Sequence, residues 1–100
     1  MAEAANRVVA LGGGICLVDE KGVMAELPLP IAGLMSEQPL EAVAQMEQQL
    51  DQALKALGCV VDDALMSFFF LALPVIPELR LTDLGLVDVT EFKIVPTLVA

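Results

Sequence analysis

The residues of this sequence that could do chemistry are few and scattered. Two cysteines, Cys16 and Cys59, and the adjacent carboxylates Asp62 and Asp63 first suggest a nucleophile, a metal site or acid–base catalysis. The sequence contains no histidine. A Ser–His or Cys–His catalytic pair and a histidine-based zinc or iron site therefore cannot form within it. This excludes most hydrolytic machinery from the chain.

Each of these groups also has a structural interpretation, which the sequence favours. Two widely spaced cysteines do not make a zinc motif, and in a cytosolic setting they suit core thiols better than a disulfide or a catalytic role. Asp62 and Asp63 suit a turn or a helix N-cap, since no third ligand stands nearby. The three glycines at 12–14 lack the Lys–Ser/Thr pair and the helix of a phosphate-binding loop, so we interpret them as a helix cap and a turn. We therefore predict no catalytic and no metal-binding residue.

The composition predicts a small domain that packs against something else. One hundred residues is the size of one domain, able to bury about two thirds of its unfolded surface. Hydrophobic residues make up 57% and there are 7 glycines besides, whereas about 45–50% for both together is usual. A small domain has little interior, so part of this apolar excess must lie on its surface, where large apolar patches indicate a docking face.

Two other classes of partner fit the sequence poorly. The longest uncharged apolar stretch, residues 64–77, is shorter than the roughly 20 residues of a membrane-spanning helix, and the N-terminus lacks the pattern of a signal peptide. The net charge is −9, with five basic residues that stand singly along the chain and no basic stripe for a phosphate backbone. We expect a soluble, cytoplasmic protein that binds neither membrane nor nucleic acid.

The first half of the chain has clear periodic signals. Residues 2–11 predict a helix that ends at the glycines. Residues 15–19 and 23–27 predict a hairpin around the turn "DEKG". Residues 39–58 predict the longest helix, whose buried stripe steps by three and four positions through Val43, Met46, Leu50, Ala53 and Leu57.

The second half is less regular. Residues 65–74, "LMSFFFLALP", favour a buried strand by β propensity, although periodicity does not distinguish this from a short buried helix. Three of the four phenylalanines lie here, so the run is either a core element or a docking face. A turn is predicted around residues 82–85, and residues 92–100 predict a closing strand that Pro96 restricts to an edge or a bulge. The fold class predicted is α+β, with a small antiparallel sheet carrying two helices in the order α-ββ-α-β-β, as a single domain over residues 1–100.

Two stiff apolar segments fit neither helix nor strand. The first proline segment, residues 27–36, carries Pro28 and Pro30, and the second proline segment, residues 73–78, carries Pro74 and Pro77. Prolines reduce the entropy that a loop loses on ordering, which suits a fixed wall. The alternative is that both segments simply turn corners in the core.

With these elements placed, the order of features resembles a known family. The pieces "GGGICLVDEKGVMAELPLPIAGLMSEQPLEAV", "LGC", "FLALPVIPELRLTDLGLVDV" and "FKIVP" resemble the C-terminal domain of the bacterial and archaeal adenine deaminases, which belong to the amidohydrolase superfamily. The most specific of them are "LPLPIAGLMS" and "LALPVIPELRLTD". The likeness covers nearly the whole chain, as far as Pro96.

The resemblance implies that the full-length enzyme hydrolyses adenine to hypoxanthine and ammonia, in purine salvage. It further implies a divalent metal, manganese or iron, held by histidines and acidic residues of a (β/α)₈ barrel, where a metal-bound hydroxide attacks the ring. This chain lacks the His-x-His pair and the later ligands, so none of those residues carries over onto it. The expectation is a chain that is inactive alone and whose parent is a metal-dependent deaminase.

The resemblance leaves the domain's own contribution open. It implies packing on the barrel of the parent, construction of a homo-oligomer, or both, and the apolar excess agrees with this. In a sharper version the two proline segments form an edge of the active-site mouth, with Met35, Ser36 and Glu78 as the candidate edge or docking residues. The alternative function is a standalone interaction or oligomerisation module without catalytic activity. The abrupt helical start and the apolar excess favour a domain separated from its parent.

Overall fold

The computed structural model of the chain describes residues 1–98 and divides the chain into two compact units, Met1–Val60 and Val61–Ala100. The described residues form three helices and two small antiparallel sheets. The predicted α+β class is therefore confirmed. The single predicted sheet is instead two separate ones, of two and three strands.

The first unit contains two helices and a hairpin. Helix α1 spans Ala2–Leu11, strands β1 and β2 span Gly14–Asp19 and Gly22–Pro28, and helix α2 spans Leu40–Ala56. The glycines end α1 as predicted, because Gly12 adopts a φ of 75° that favours glycine. The Gly13 N–H then donates to the Val8 carbonyl over 3.0 Å, which satisfies one of the free carbonyls at the helix end.

The hairpin is the scaffold on which both helices of this unit pack. Strands β1 and β2 pair antiparallel, with a bulge between Leu17 and Val18. Helix α1 packs mainly on β1 and helix α2 mainly on β2. The predicted arrangement of two helices on a small antiparallel sheet therefore describes this unit.

The buried side of α2 differs from the prediction at its C-terminal end. Leu50 is completely buried, and Leu54 rather than Leu57 continues the buried stripe. The helix ends at Ala56, so Leu57 lies in the C-cap position and is exposed. A stripe extrapolated along an ideal helix fails where the helix stops.

The second unit contains one helix and a three-stranded sheet. Helix α3 spans Ala64–Ala72, and strands β3, β4 and β5 span Leu79–Thr82, Gly85–Asp88 and Lys93–Val95, paired in the order β3-β4-β5. The predicted strand over residues 65–74 was wrong, because most of that segment is α3. Its aromatic residues favour strands by propensity, but propensity is a weak prior that tertiary context overrides.

The turn predicted at residues 82–85 is confirmed. The Thr82 hydroxyl donates to the Gly85 carbonyl over 2.8 Å and accepts from the Leu84 N–H over 3.2 Å, closing the β3–β4 hairpin. The closing strand is shorter than predicted: β5 is an edge strand that ends just before Pro96, since proline has no N–H for a ladder. The last two residues of that predicted strand, 99 and 100, lie outside the described residues.

Candidate functional site

The first proline segment is tied to the glycine turn after α1. Leu27 and Leu29 are buried, and the Leu29 N–H donates to the Gly13 carbonyl over 3.0 Å. The two backbone segments approach closely here: a Cβ on Gly13 would stand 2.8 Å from the Leu29 carbonyl oxygen. The prediction that this segment fits no strand is wrong for its start, because Leu27 and Pro28 are the last residues of β2, paired with Ile15 and Gly14.

Beyond Leu29 the first proline segment forms a tight turn. The Ile31 and Met35 backbones exchange hydrogen bonds of 3.2 and 3.1 Å, and the Leu34 N–H donates to the Ile31 carbonyl over 3.0 Å. Ala32 and Gly33 take positive φ angles of 56° and 72°, which close the turn. Leu34 and Met35 are left exposed on a backbone that is held from within.

A cleft of about 220 Å³ lies beside this turn, and its wall combines prolines with polar side chains. It is lined by Pro28, Pro30, Ser36, Glu37, Gln38 and Met46. The Ser36 hydroxyl accepts from the Gln38 N–H over 3.1 Å, which orders the approach to α2. The cleft is smaller than the roughly 300–1,000 Å³ of ordinary ligand pockets, and its size suits one inserted side chain.

The second proline segment is held by Arg80, which begins β3 together with Leu79. The Arg80 guanidinium donates to the carbonyls of Pro77 and Leu79 over 2.9 and 2.8 Å. The Glu78 carbonyl accepts from the Val89 N–H over 2.9 Å, whereas the Glu78 residue itself is exposed. The backbone here is therefore held by hydrogen bonds on both sides of Glu78.

The three predicted site residues fall in different units. Met35 and Ser36 lie together at the end of the tight turn in the first unit, and Ser36 also lines the cleft. Glu78 belongs to the second unit. Met35 and Glu78 are exposed and Ser36 is partly exposed.

Helix α3 is a second candidate surface, formed by the run that the sequence leaves open as a core element or a docking face. Only Ala64 and Leu65 of this helix are buried, whereas Met66, Phe68, Phe70 and Leu71 are exposed. The signal in the sequence is the uncharged run "ALMSFFFLA", whose predicted strand is wrong and whose exposure agrees with the docking face among the two alternatives. An exposed apolar helix is a stronger indication of a docking face than scattered single side chains.

One ion pair joins the two layers of the first unit. The Arg7 guanidinium of α1 donates to both carboxylate oxygens of Glu26 on β2, over 2.6 and 2.8 Å. The hydrogen bond from Arg7 lowers the pKa of the Glu26 carboxyl below its ordinary value of 4.5. This bidentate geometry is the strong form of such a contact, and it fixes α1 over the hairpin.

The cysteines and paired aspartates do not form a reactive centre. Cys16 and Cys59 are both free and half-buried, and burial first, then the Glu26 carboxylate, raises the pKa of the Cys16 thiol above 9.0. A raised pKa keeps a thiol protonated and unreactive at neutral pH. Asp63 occupies the N-cap position of α3 with a φ of 52°, but its side chain makes no capping hydrogen bond.

The described part of the chain does not fit a metal site. Among residues 1–98, no three side chains of histidine, cysteine, aspartate or glutamate lie close enough together to hold a metal ion. Within the same range, no helix combines the length and the apolar character needed to cross a bilayer. What the described surface offers is apolar side chains on fixed backbone.

Comparisons with known proteins agree on one family. The sequence model of the adenine deaminase C-terminal domain matches residues 1–93. An adenine deaminase of Ruegeria sp. (strain TM1040) is 50% identical over 98 residues, which are 98% of this chain and 16% of the relative. Adenine deaminases of Archaeoglobus fulgidus and Kosmotoga olearia are 49% and 48% identical over 92% and 89% of this chain.

The chain spans only a small part of these relatives. It covers 16% of the Archaeoglobus protein and 15% of the Kosmotoga protein. No solved structure matches it.

Proposed function

Because this chain belongs to the adenine deaminase C-terminal domain family, we propose that it is the non-catalytic C-terminal domain of a longer adenine deaminase. The resemblance drawn from the sequence is confirmed by the family match and by relatives at about 50% identity. These relatives are named adenine deaminases, and the chain matches about one sixth of their length. The remaining length is where the proposal places the catalytic apparatus.

The observation that carries a packing role is the imbalance between buried and exposed apolar side chains. The buried hydrophobic residues of the described chain are few: Leu27, Leu29, Leu50, Leu54, Ala64, Leu65 and Val89. Large hydrophobic side chains are exposed in both units, among them Leu40, Val60, Leu81, Leu84 and Phe92. Burying such side chains contributes a favourable free energy of about 25 cal/mol per Å² of apolar surface removed from water. The proposal is that they are covered by the rest of the deaminase.

In this proposal the whole enzyme converts adenine and water to hypoxanthine and ammonia, as part of purine salvage in the cytoplasm. A divalent metal, manganese or iron, would supply a hydroxide for attack on the ring and would be held by the barrel. The side chains of residues 1–98 do not fit such a metal, so this domain takes no chemical step. Its partners are the barrel of its own chain and further copies in a homo-oligomer, and its net charge of −9 speaks against nucleic acid.

A sharper part of the proposal places Met35, Ser36 and Glu78 at the edge of the active-site mouth. Its support is that both proline segments have fixed backbones: one through the Ile31–Met35 turn, the other through Arg80. A fixed wall orders a substrate without losing entropy of its own. Ser36 and Glu78 would then offer a hydroxyl and a carboxylate to a polar purine, and Met35 an adaptable apolar contact.

The proposed function is tested by exchange. The region of the Ruegeria deaminase that matches this chain is replaced by residues 1–98, giving a chimeric enzyme, and ammonia release from adenine is measured with manganese or iron(II) present. The chimera is expected to deaminate adenine within about tenfold of the parent, and this chain alone to release no ammonia. Ammonia release by the isolated chain, or a folded chimera without activity, would contradict the proposal.

The alternative function is a standalone interaction or oligomerisation module. The same exposed side chains favour it, since a self-sufficient module would use them to bind other copies of itself. A tight, concentration-independent oligomer of the isolated chain in analytical ultracentrifugation would support this alternative. The deaminase proposal expects no such assembly from the isolated chain.

A further inference from the structure

Helix α3 is apolar around its whole circumference. Its nine residues, Ala64–Ala72, include one polar side chain, Ser67, and no charge. A helix of this composition normally lies inside a protein or a membrane. A membrane-spanning helix needs about 20 residues, and α3 has nine. We therefore expect α3 to be covered by protein.

Four of the exposed side chains of α3 form one continuous stripe. Met66 and Phe70 are four residues apart, as are Ser67 and Leu71, so each pair lies on adjacent positions of the same helix side. All four residues are exposed, with Phe70 at 49% and Leu71 at 63%. Leu65 and Phe69, also four apart, lie on the other side, where Leu65 is buried. Phe68, at 46%, and Ala72 are exposed outside this stripe, so Ala64 and Leu65 are the buried residues of the helix.

The size of this stripe argues against a second copy of the chain as its occupant. About half of each of three large side chains remains uncovered, which gives roughly 300 Å² if a large side chain offers about 200 Å². A stable complex between separate molecules buries about 800 Å² on each partner. Through this stripe alone two free copies would meet over too little surface, and each carries a net charge of −9 that repels the other.

A partner in the same polypeptide can be held through a smaller buried area than a separate molecule needs. Segments of one chain meet at a high effective concentration, so a small apolar contact is enough to hold them together. The relatives carry more than four fifths of their length outside the region that this chain matches. That additional length supplies an occupant that is always present in one copy for each α3.

We propose that the stripe Met66–Ser67–Phe70–Leu71 inserts into an uncharged, apolar groove on the part of the deaminase chain outside this domain. The inference rests on the proposed function and adds the element that makes the contact. Phe70 and Leu71 are the anchors, because they are the most exposed apolar side chains of the stripe. A hydroxyl or carbonyl oxygen in the groove accepts from the Ser67 hydroxyl, since a buried hydroxyl without a partner would be costly.

Hydrogen exchange tests this inference directly. Backbone amide exchange of residues 65–72 is compared between the isolated chain and the same residues within the Ruegeria chimera. Covering the stripe is expected to slow their exchange by at least about tenfold, because an exposed short helix opens more easily than a packed one. Slower exchange elsewhere in residues 1–98, with residues 65–72 unchanged, would overturn this inference and leave the proposed function standing. No slowing anywhere in the domain would overturn both.

Substitutions separate a packed stripe from a general stabilisation of the domain. In the chimera, the double variant Phe70→Gln with Leu71→Gln is expected to reduce the slowing of amide exchange in residues 65–72 to less than about threefold. Val9→Gln on α1, which replaces a side chain that is 79% exposed, is the matched control and should leave it intact. A folded double variant that keeps the full slowing would overturn the inference. Should the double variant not fold by circular dichroism, Met66→Gln alone decides in the same way.

Discussion

Arg7 and Glu26 form the contact whose chemistry is most sharply defined at the scale of single residues. Their bidentate ion pair links α1 to β2, and Arg7 lowers the pKa of Glu26. A carboxyl whose pKa is lower in the folded state than in the unfolded state stabilises the fold above its unfolded pKa. That contribution disappears as the pH falls below 4.5 and passes through the folded value.

Glu26→Gln is therefore expected to reduce the acid sensitivity of the chain. At pH 7 the variant should unfold roughly 2–4 °C lower than the natural chain, as for an exposed pair. Between pH 7 and pH 3 the difference should shrink, because protonation removes the same interaction from the natural chain. Thermal unfolding by circular dichroism measures this, with Glu20→Gln at the exposed hairpin tip as the control of equal charge. A difference that does not change with pH would contradict the assignment.

Ser36 and Glu78 carry the active-site-edge part of the proposal. In the chimeric deaminase, Ser36→Ala together with Glu78→Gln is expected to lower kcat/KM for adenine at least about tenfold, since two polar contacts of roughly 1 kcal/mol each are lost. The unfolding temperature should stay within a few degrees of the unsubstituted chimera. Glu47→Gln on the exposed side of α2 is the control. An unchanged kcat/KM would mean that the proline segments only turn corners in the fold.

At the scale of elements, the β1–β2 hairpin depends on a glycine that the two strands enclose. Gly14 has a φ of 138°, and a Cβ there would stand 2.2 Å from the Leu27 carbonyl oxygen. Gly12 also has a positive φ, but a Cβ there would meet nothing within 4 Å. Substituting Gly14 and Gly12 in turn therefore separates the cost of a steric clash from the cost of the backbone conformation.

Gly14→Ala is expected to lower the free energy of unfolding by about 3 kcal/mol or more, because backbone atoms must move apart to admit the methyl group. Gly12→Ala should cost about 1 kcal/mol, the ordinary penalty of a left-handed conformation for alanine. Urea unfolding of both variants gives the two values. Equal losses would show that the close approach of Gly14 to Leu27 does not exist in solution.

Elements whose signals are local were predictable from the sequence. Helix α1 ends at a glycine cap and the β1–β2 turn contains Gly22, so both follow from backbone conformation alone. Helix α3 was not predictable in this way, because its aromatic run favours a strand. Its apolar residues also occupy exposed positions, so the sequence lacks the spacing of polar and apolar residues that marks a helix. The hydrogen bonds between Ile31 and Met35 could not be predicted either, since prolines predict a stiff segment but not the type of turn within it.

Of the two candidate surfaces, the proline segments were easier to identify from the sequence than the stripe of α3. Residue types alone excluded a histidine-dependent centre and drew attention to the proline segments that contain Met35, Ser36 and Glu78. The uncovered stripe of α3 required coordinates, because only they distinguish a buried Leu65 from an exposed Phe70. Apolar composition predicts that a docking face exists, whereas its position depends on how the rest of the chain folds.

At the scale of the whole molecule, an apolar surface and a net charge of −9 act against each other. Apolar side chains favour association of the isolated chain, and like charges oppose it. We expect weak, reversible self-association that strengthens in 1 M salt, where the screening length falls to about 3 Å. Sedimentation velocity at low and high salt measures this. A monodisperse monomer at high concentration in both would contradict the exposed apolar surface.

The central claim is that this chain folds against the remainder of an adenine deaminase, and calorimetry of the Ruegeria chimera tests it most directly. The chimera and the isolated chain are heated under the same conditions. Packing predicts that the chimera has no transition at the midpoint of the isolated chain, because the domain unfolds with the rest at a temperature at least about 5 °C higher. A separate transition at the midpoint of the isolated chain, with deaminase activity unaffected by it, would contradict the claim.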